Sequence, residues 1–330
     1  MSDAAGIALV TGGSGFIGGR LVRRLTAEGR RVRALARSDA SAAAVERLGA
    51  EPVRGELADH SSLRAAAEGC EVAFHLAAHL GQWGSRAEFV AGNVTGTENA
   101  LAATRAAGVR RFVHCGTEAA LLAGEPLRSV DETAPLRPDS KALYSSTKAL
   151  AEQAVRLASG DGLETVVVRP RLVWGAGDTT LLPEIVGAVE AGRFAWIGGG
   201  DHLTDTTHVD NVVEGLLAAA ARGRAGEAYF VTDGEPVVFR EFITELLETQ
   251  GVEPPTRTVP AWLAGAVAAG SEGVWRLLRL NGDPPLTRLA VWLSSQECTI
   301  EITKARTELG YEPVVSRAEG LAEIRAGAPA

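Results

Sequence analysis

The sequence predicts an α/β protein with one doubly wound parallel sheet and a smaller, mainly helical lobe. Three observations carry that expectation. Short apolar runs alternate with helical periodicity through the first 170 residues. A glycine cluster separates the first run from its helix, and the rhythm loosens after Pro170, where proline pairs and tryptophans punctuate the chain.

Ile7 to Val10 reads as the first strand and Phe16 to Ala27 as its helix. Strands follow at Arg31 to Ala36, Glu51 to Arg54 and Val72 to Leu76. Val90, Val94, Thr97, Leu101 and Thr104 recur at helical spacing, which predicts a long helix over Glu88 to Ala107. Arg111 to Cys115 is the fifth strand, Ala142 to Leu157 a second long helix and Thr165 to Val168 the sixth strand. Beyond Pro170, helices are expected at Thr180 to Glu190, Asp210 to Ala221 and Phe239 to Gln250. These elements divide the chain into a sheet domain over 1–170, rejoined by residues around 203–232, and a substrate-binding lobe from 171–202 and 233–330. No internal repeat separates the two.

With 330 residues, 46% of them apolar, a large core is available. A formal charge of −8 argues against nucleic acid, whose phosphates demand basic surface. The three cysteines, Cys70, Cys115 and Cys298, show no metal or redox spacing, which suits buried thiols in a reducing compartment. No secretory signal opens the chain, and the apolar stretch from Val259 to Ala269 is too short to span a bilayer, so a soluble cytoplasmic protein is expected. The six histidines show no ligand spacing, and no metal is expected.

Thr11-Gly12-Gly13-Ser14-Gly15-Phe16-Ile17-Gly18 links the first strand to its helix. Glycines there permit a tight turn and close approach of backbone, and a helix N-terminus offers free N–H groups to a pyrophosphate. At the end of the second strand, where NAD-binding units carry an acid for the ribose 2′-hydroxyl, the sequence has Ala36 followed by Arg37 and Ser38. A guanidinium there favours a 2′-phosphate, hence NADP(H).

Tyr144 and Lys148 lie four residues apart on one helix face. With three tyrosines and three lysines in the chain, that spacing arises by chance in about 3% of comparable sequences. An adjacent ammonium stabilises phenolate, so Lys148 is expected to lower the pKa of Tyr144 and make it a proton donor and acceptor. Thr117, just past the fifth strand, is placed to hydrogen-bond a substrate oxygen.

Together with His75-Leu76-Ala77-Ala78, Asn93-Val94-Thr95-Gly96-Thr97 and Arg169-Pro170, these motifs resemble the extended short-chain dehydrogenase/reductase family over essentially the whole chain. The resemblance implies a Rossmann-type sheet, hydride transfer to or from a nicotinamide, and Thr117, Tyr144 and Lys148 as the catalytic triad. It implies cofactor contacts from Gly12, Gly15, Phe16, Ile17 and Gly18, adenine contacts near Glu56 and Leu57, and further contacts from Leu76, Ala77, Ala78, Tyr144, Lys148, Pro170 and Val173. It also implies a homodimer through the two long helices.

Within the family, sugar-nucleotide epimerases carry an asparagine and an arginine where this chain has Leu172 and Thr204, and dehydratases follow the threonine with two acids where this chain has Glu118 then Ala119. The runs from Arg169 to Asp178 and Leu203 to Asn211 are instead similar to the 3β-hydroxysteroid dehydrogenase branch. Gln82-Trp83-Gly84-Ser85 and Pro285-Leu286-Thr287-Arg288 look like bacterial 2-alkyl-3-oxoalkanoate reductases. The expectation is a ketone–alcohol oxidoreductase for an apolar 3-oxo acyl or steroid-type substrate, with Trp83 and Trp174 at the pocket. An NAD(P)-dependent sugar-nucleotide epimerase is the alternative. The Trp- and Leu-rich stretch from Trp262 to Leu293 is expected to be mainly core, with the lining of an alkyl or sterol pocket as the alternative.

Overall fold

The computed structural model describes residues 6–327. At its centre lie seven strands: β1 (Ile7–Thr11), β2 (Val32–Ala36), β3 (Glu51–Arg54), β4 (Cys70–His75), β5 (Arg111–Cys115), β6 (Glu164–Pro170) and β7 (Ala228–Val231). All pair in parallel, in the order β7-β6-β5-β4-β1-β2-β3. The order reverses at β1, so the connections leaving β1 and β4 diverge and open a crevice at their carboxyl ends, where ligands of such sheets bind.

Successive strand residues point to opposite faces, and the core follows that period. Ala8 and Val10 of β1 join a cluster with Leu21 and Val22 of α1 (Phe16–Ala27). Leu9, between them, joins a second cluster with Ala66 and Ala67 of α3 (His60–Ala67), beyond α2 (Asp39–Arg47) in the chain. Each fully buried Leu or Val contributes about 1.5–3 kcal/mol, so both faces of the sheet are fixed by apolar burial.

The expected helix over Glu88 to Ala107 begins slightly earlier and is not regular. It comprises α4 (Arg86–Phe89), a π-helical turn at Val90–Thr95 and α5 (Gly96–Ala106). The second long helix is α6 (Leu143–Leu157). After Pro170, α7 (Leu181–Glu190), α8 (Val209–Arg222) and α9 (Phe239–Thr249) match the expected helices to within one residue at each end.

The smaller core gathers Trp174, Trp196, Phe242 and Leu246 with Leu321 of α12 (Arg317–Arg325). Four short strands form a second sheet: Val237–Val238, Leu203–Thr204, Cys298–Ile300 and Leu127–Val130. It pins the segment between β5 and α6 against the later chain.

Two further helices, α10 (Ala261–Leu278) and α11 (Arg288–Ser295), close this side. The stretch expected as core is divided between two environments. Ala264, Ala268 and Glu272 of α10 are buried, whereas Trp262, Leu263, Val267, Val274 and Leu277 are exposed. No helix among the described residues is long and apolar enough to cross a membrane.

Candidate active site

The glycine loop has the shape a dinucleotide needs. Gly12 adopts φ +73°, and a Cβ there would lie 2.7 Å from the Ala77 nitrogen. Gly18 is tighter, because its Cβ would meet the Gly12 carbonyl oxygen at 2.0 Å. Gly15 caps α1 without any side-chain hydrogen bond, and no acid occupies the first turn. The initial N–H groups of the helix therefore face the crevice without a competing acceptor, a setting that favours an anionic pyrophosphate. These features fit a nicotinamide dinucleotide.

Beneath the loop runs a buried polar chain that ties β1, β4 and the long helix together. Thr11 Oγ1 and His75 Nδ1 are 2.8 Å apart, and His75 Nε2 is 3.1 Å from Thr97 Oγ1. Thr97 in turn donates to the Asn93 carbonyl at 2.6 Å. Burial, helped by the Lys148 charge, pushes the His75 pKa down to about 3, so the ring is neutral. Asn93 sits in the π-helical turn, donates to Thr147 Oγ1 at 3.1 Å and accepts from the His79 amide at 2.7 Å. A π turn inserts an extra residue into the helix. Here it lies where the helix meets both α6 and the loop after β4.

Arg37 is exposed at the carboxyl end of β2 and makes no ion pair among the described residues. Ser38 next to it caps α2, accepting from Ser41 N at 3.2 Å. Glu56 is exposed, whereas Leu57 packs against Gly96 of the long helix and its carbonyl accepts from Asn99 at 2.8 Å. Leu76, Ala77 and Ala78 form the half-buried strand-to-loop exit after β4. Pro170 ends β6, and Val173 pairs with Thr207 just beyond.

Thr117 follows β5 directly, and α6 brings Tyr144 and Lys148 to the same edge. Lys148 is buried and donates to the Cys115 carbonyl at 3.0 Å. Its pKa is lowered by burial, against the raising influence of Cys115 and Glu152. The Tyr144 phenol is displaced in the direction opposite to expectation: burial and the neighbouring Glu118 and Cys115 raise its pKa, and only the Thr117 hydroxyl opposes them. Burial is the largest cause and the Glu118 carboxylate adds to it, while the Lys148 ammonium is engaged by a backbone carbonyl.

That carboxylate belongs to a buried cluster for which the local sequence gives no signal. Thr117 Oγ1 donates to Glu118 Oε2 at 2.8 Å, and Arg171 pairs with Glu118 Oε1 at 2.6 Å. Arg171 also donates to Thr204 Oγ1 at 3.0 Å. Thr204 is thus an interior partner of Arg171, at the position where sugar-nucleotide epimerases were noted to carry an arginine.

The wall beside Tyr144 is apolar: Ala119, Leu122 and Leu289 are buried there, with Trp292 and Leu293 packed against them. Trp292 of α11 belongs to the Trp- and Leu-rich stretch read as core or pocket lining, and nothing local distinguishes it from the other tryptophans there. Trp174, expected at the pocket, is a correction. It is fully buried, donates to Asp233 Oδ2 at 2.9 Å and packs edge-on against His208 and Phe242. Trp83 is half-buried, with the Arg276 guanidinium 5.1 Å from its ring centre.

All three cysteines are free and buried. Among the described residues, His208, Asp210 and Glu323 bring three ligand-type atoms close together. Arg20 occupies that position, 2.7 Å from Glu323 and 3.7 Å from Asp210, and supplies the balancing positive charge.

A dinucleotide cradle facing a tyrosine–lysine helix defines an extended short-chain dehydrogenase/reductase. Residues 9–261 match the 3-beta hydroxysteroid dehydrogenase/isomerase family, and the chain belongs to it. It is 48% identical to the 4-hydroxy-2-methyl-3-oxo-4-farnesyl-3,4-dihydroquinoline-1-oxide ketoreductase of Stigmatella aurantiaca, over 97% of this chain and 96% of that one. It is 38% identical to the 2-alkyl-3-oxoalkanoate reductase of Stenotrophomonas maltophilia, over 98% and 99% of the two chains. Among solved structures, gox2253 superimposes with a TM-score of 0.78 at 29% identity, covering 98% of each chain. A DesIV double mutant, a dTDP-glucose 4,6-dehydratase from Streptomyces venezuelae with NAD and DAU bound, gives 0.77 at 25% identity over 97% and 96%. The chain is therefore an oxidoreductase of this family, and its named relatives support ketone–alcohol chemistry.

Proposed function

We propose that the protein is an NADP(H)-dependent reductase of ketones on apolar substrates, of the 3-oxo acyl or 3-oxosteroid type. One observation carries the reading: Tyr144, on the helix of Lys148 and beside Thr117, stands against an apolar wall of Leu122, Leu289 and Trp292. Hydride for the carbonyl carbon would come from the dihydronicotinamide that the glycine loop and Lys148 would hold. The phenol of Tyr144 gives its proton to the carbonyl oxygen, so that the ketone becomes a secondary alcohol. Lys148 holds the nicotinamide ribose and Thr117 sets the position of the phenol. The apolar wall excludes water and holds the alkyl part of the substrate.

NADP(H) is favoured over NAD(H) by Arg37, exposed at the end of β2 and making no ion pair among the described residues. The same reading takes the active species to be a cytoplasmic homodimer through α6 and the long helix before β5. The two named relatives have ketone substrates with farnesyl or alkyl substituents, which agrees with an apolar wall.

The test is NADPH oxidation with an ethyl 2-alkyl-3-oxoalkanoate and with a 3-oxosteroid. Tyr144→Phe should lower kcat/KM by at least about 100-fold while leaving the NADPH Kd nearly unchanged. Retained turnover removes the mechanism. Arg37→Ala should weaken NADPH by about 10–100-fold, the contribution of a charge-assisted contact, with little effect on NADH. A wild-type preference for NADH of about tenfold or more refutes the cofactor assignment.

A further inference from the structure

Helix α10 runs for 18 residues, about 27 Å, and its two sides differ in kind. Inward, Ala264 and Ala268 pack on Val291 of α11 with Ile197 and Leu286. Outward, Trp262, Leu263, Val267, Val274, Leu277 and Leu278 are all exposed, Trp262 by 75% and Leu277 by 82%. Ala266, Gly270 and Gly273, between them on the same arc, are exposed as well. Single apolar residues are ordinary on a protein surface, but a continuous face of them marks an interaction site. Ser271 adds no polarity to that face, because its hydroxyl turns inward and donates to the Leu286 carbonyl at 2.8 Å.

The charge around the face has one sign. Glu272, the one acid of α10, is buried and accepts from the Arg288 amide at 2.7 Å and from its guanidinium at 2.5 Å. Arg276 and Arg279 stand exposed at the C-terminal end. From Arg257 to Arg288 the chain has four arginines against two acids, although its overall charge is −8. The second of those acids, Asp283, lies beyond the helix and acts on Glu184.

We propose that α10 docks the protein on a lipid bilayer with anionic headgroups, its apolar face in the acyl boundary and Arg276 and Arg279 meeting the phosphates at the rim. A helix lying in the interface plane sinks its apolar side about 5–10 Å into that boundary. Arginine stems lie along apolar surface while their guanidinium ends stay with the headgroups. A second copy of the chain is a poorer occupant. A two-fold contact sets one patch against itself, so both arginines would lose water with no free acid to meet them. Anionic headgroups supply that counter-charge.

The face also adjoins the candidate active site. Thr287, the N-cap of α11, donates to Gln82 Oε1 at 2.8 Å, and the Arg276 guanidinium lies 5.1 Å from the Trp83 ring centre. Helices α10 and α11 thus hold the loop that leaves β4 at the ligand edge. Docking sets the acyl layer beside that loop, whatever reaction the site performs.

The test is co-sedimentation of the full chain with vesicles of equimolar phosphatidylglycerol and phosphatidylcholine. Binding should be at least about fivefold tighter than to pure phosphatidylcholine, and added salt should erase the difference. Trp262→Glu/Leu277→Glu should weaken binding at least about 30-fold and leave the Tm unchanged, because both side chains face water in the free protein. Arg279 has φ +51°, which asparagine tolerates. Arg279→Asn should weaken binding about fivefold, on the anionic vesicles alone.

Brominated acyl chains should quench the wild-type tryptophan emission, and Trp262→Phe should remove most of that quenching. Absence of co-sedimentation, binding that survives the double change, or quenching that Trp262→Phe leaves intact overturns the inference. Sedimentation equilibrium without lipid tests the other occupant: if the double change there breaks up an oligomer, the face belongs to a second copy and the inference falls. These measurements use neither substrate nor cofactor, so their failure is distinct from a failure of the functional reading.

Discussion

His75 lies between β1 and the long helix and should make the protein acid-sensitive in a way that one substitution exposes. The ring is fully buried, and its pKa falls from 6.5 to about 3. A folded-state value below the unfolded one means that the unfolded chain takes up the proton first as pH falls. Above about pH 6.5 the group contributes no pH dependence. Below it, stability falls by about 1.4 kcal/mol per pH unit until the folded-state value is reached. Between about pH 7.5 and pH 5, some 1.5 units of that window are crossed, so His75 alone removes about 2 kcal/mol. His114 stacks against it at 5.5 Å and is displaced in the same direction, adding a similar loss.

His75→Gln can retain a hydrogen bond to Thr11 or Thr97 but has no titrating ring. At pH 7.5 it should be less stable than wild type by about 1–2 kcal/mol, through imperfect packing and one lost hydrogen bond. At pH 5 that gap should close or reverse, because only the wild type has lost the His75 contribution. Urea unfolding of both proteins at the two pH values measures it, and taking the difference cancels the carboxylates they share. A gap that stays constant to within about 0.5 kcal/mol would refute the claim that His75 is neutral in the folded protein.

The other predictions address the loop, the core and the second sheet. Gly18→Ala forces a Cβ onto the Gly12 carbonyl and should weaken NADPH at least about 30-fold, whereas Gly19→Ala, whose nearest contact would be a comfortable 3.6 Å, should leave it unchanged; fluorescence titration of NADPH distinguishes them. Glu152→Gln strips Arg169 of a carboxylate that meets its Nε at 3.0 and 3.1 Å in the buried core, and urea unfolding should show a loss of about 3–5 kcal/mol. Asp205 is buried and its pKa is pushed up to about 6 from 3.8, so its folded-state contribution is present below about pH 4 and is lost as pH rises through 6. Asp205→Asn should therefore raise the Tm at pH 8, by up to about 3 kcal/mol of stability, and show no gain at pH 4; equal effects at both pH values contradict the assignment.

What could be read from the sequence was whatever repeats over a short span. The glycine loop, the Tyr144–Lys148 spacing and the strand–helix alternation are local patterns, and the structure places them at one edge of one sheet. Boundaries slipped only where the cause is non-local: β4 begins two residues early because Cys70 pairs with Ile7, and the irregular turn at Val90–Thr95 follows from what Asn93 must reach. Trp174 shows the limit from the other side. Its position after a strand at the ligand edge suggested a pocket, but its partners Asp233, His208 and Phe242 lie 34 to 68 residues further along the chain. Glu118 is the sharper case. Between Thr117 and two alanines it looks like a surface acid at the start of a turn, and only Arg171, 53 residues away, makes it a buried anion. Burial and the Glu118 anion together reversed the expected shift of Tyr144, while Lys148 is committed to a backbone carbonyl. Motif spacing thus pointed to Tyr144, while the charges and burial around its phenol depend on contacts that no motif contains.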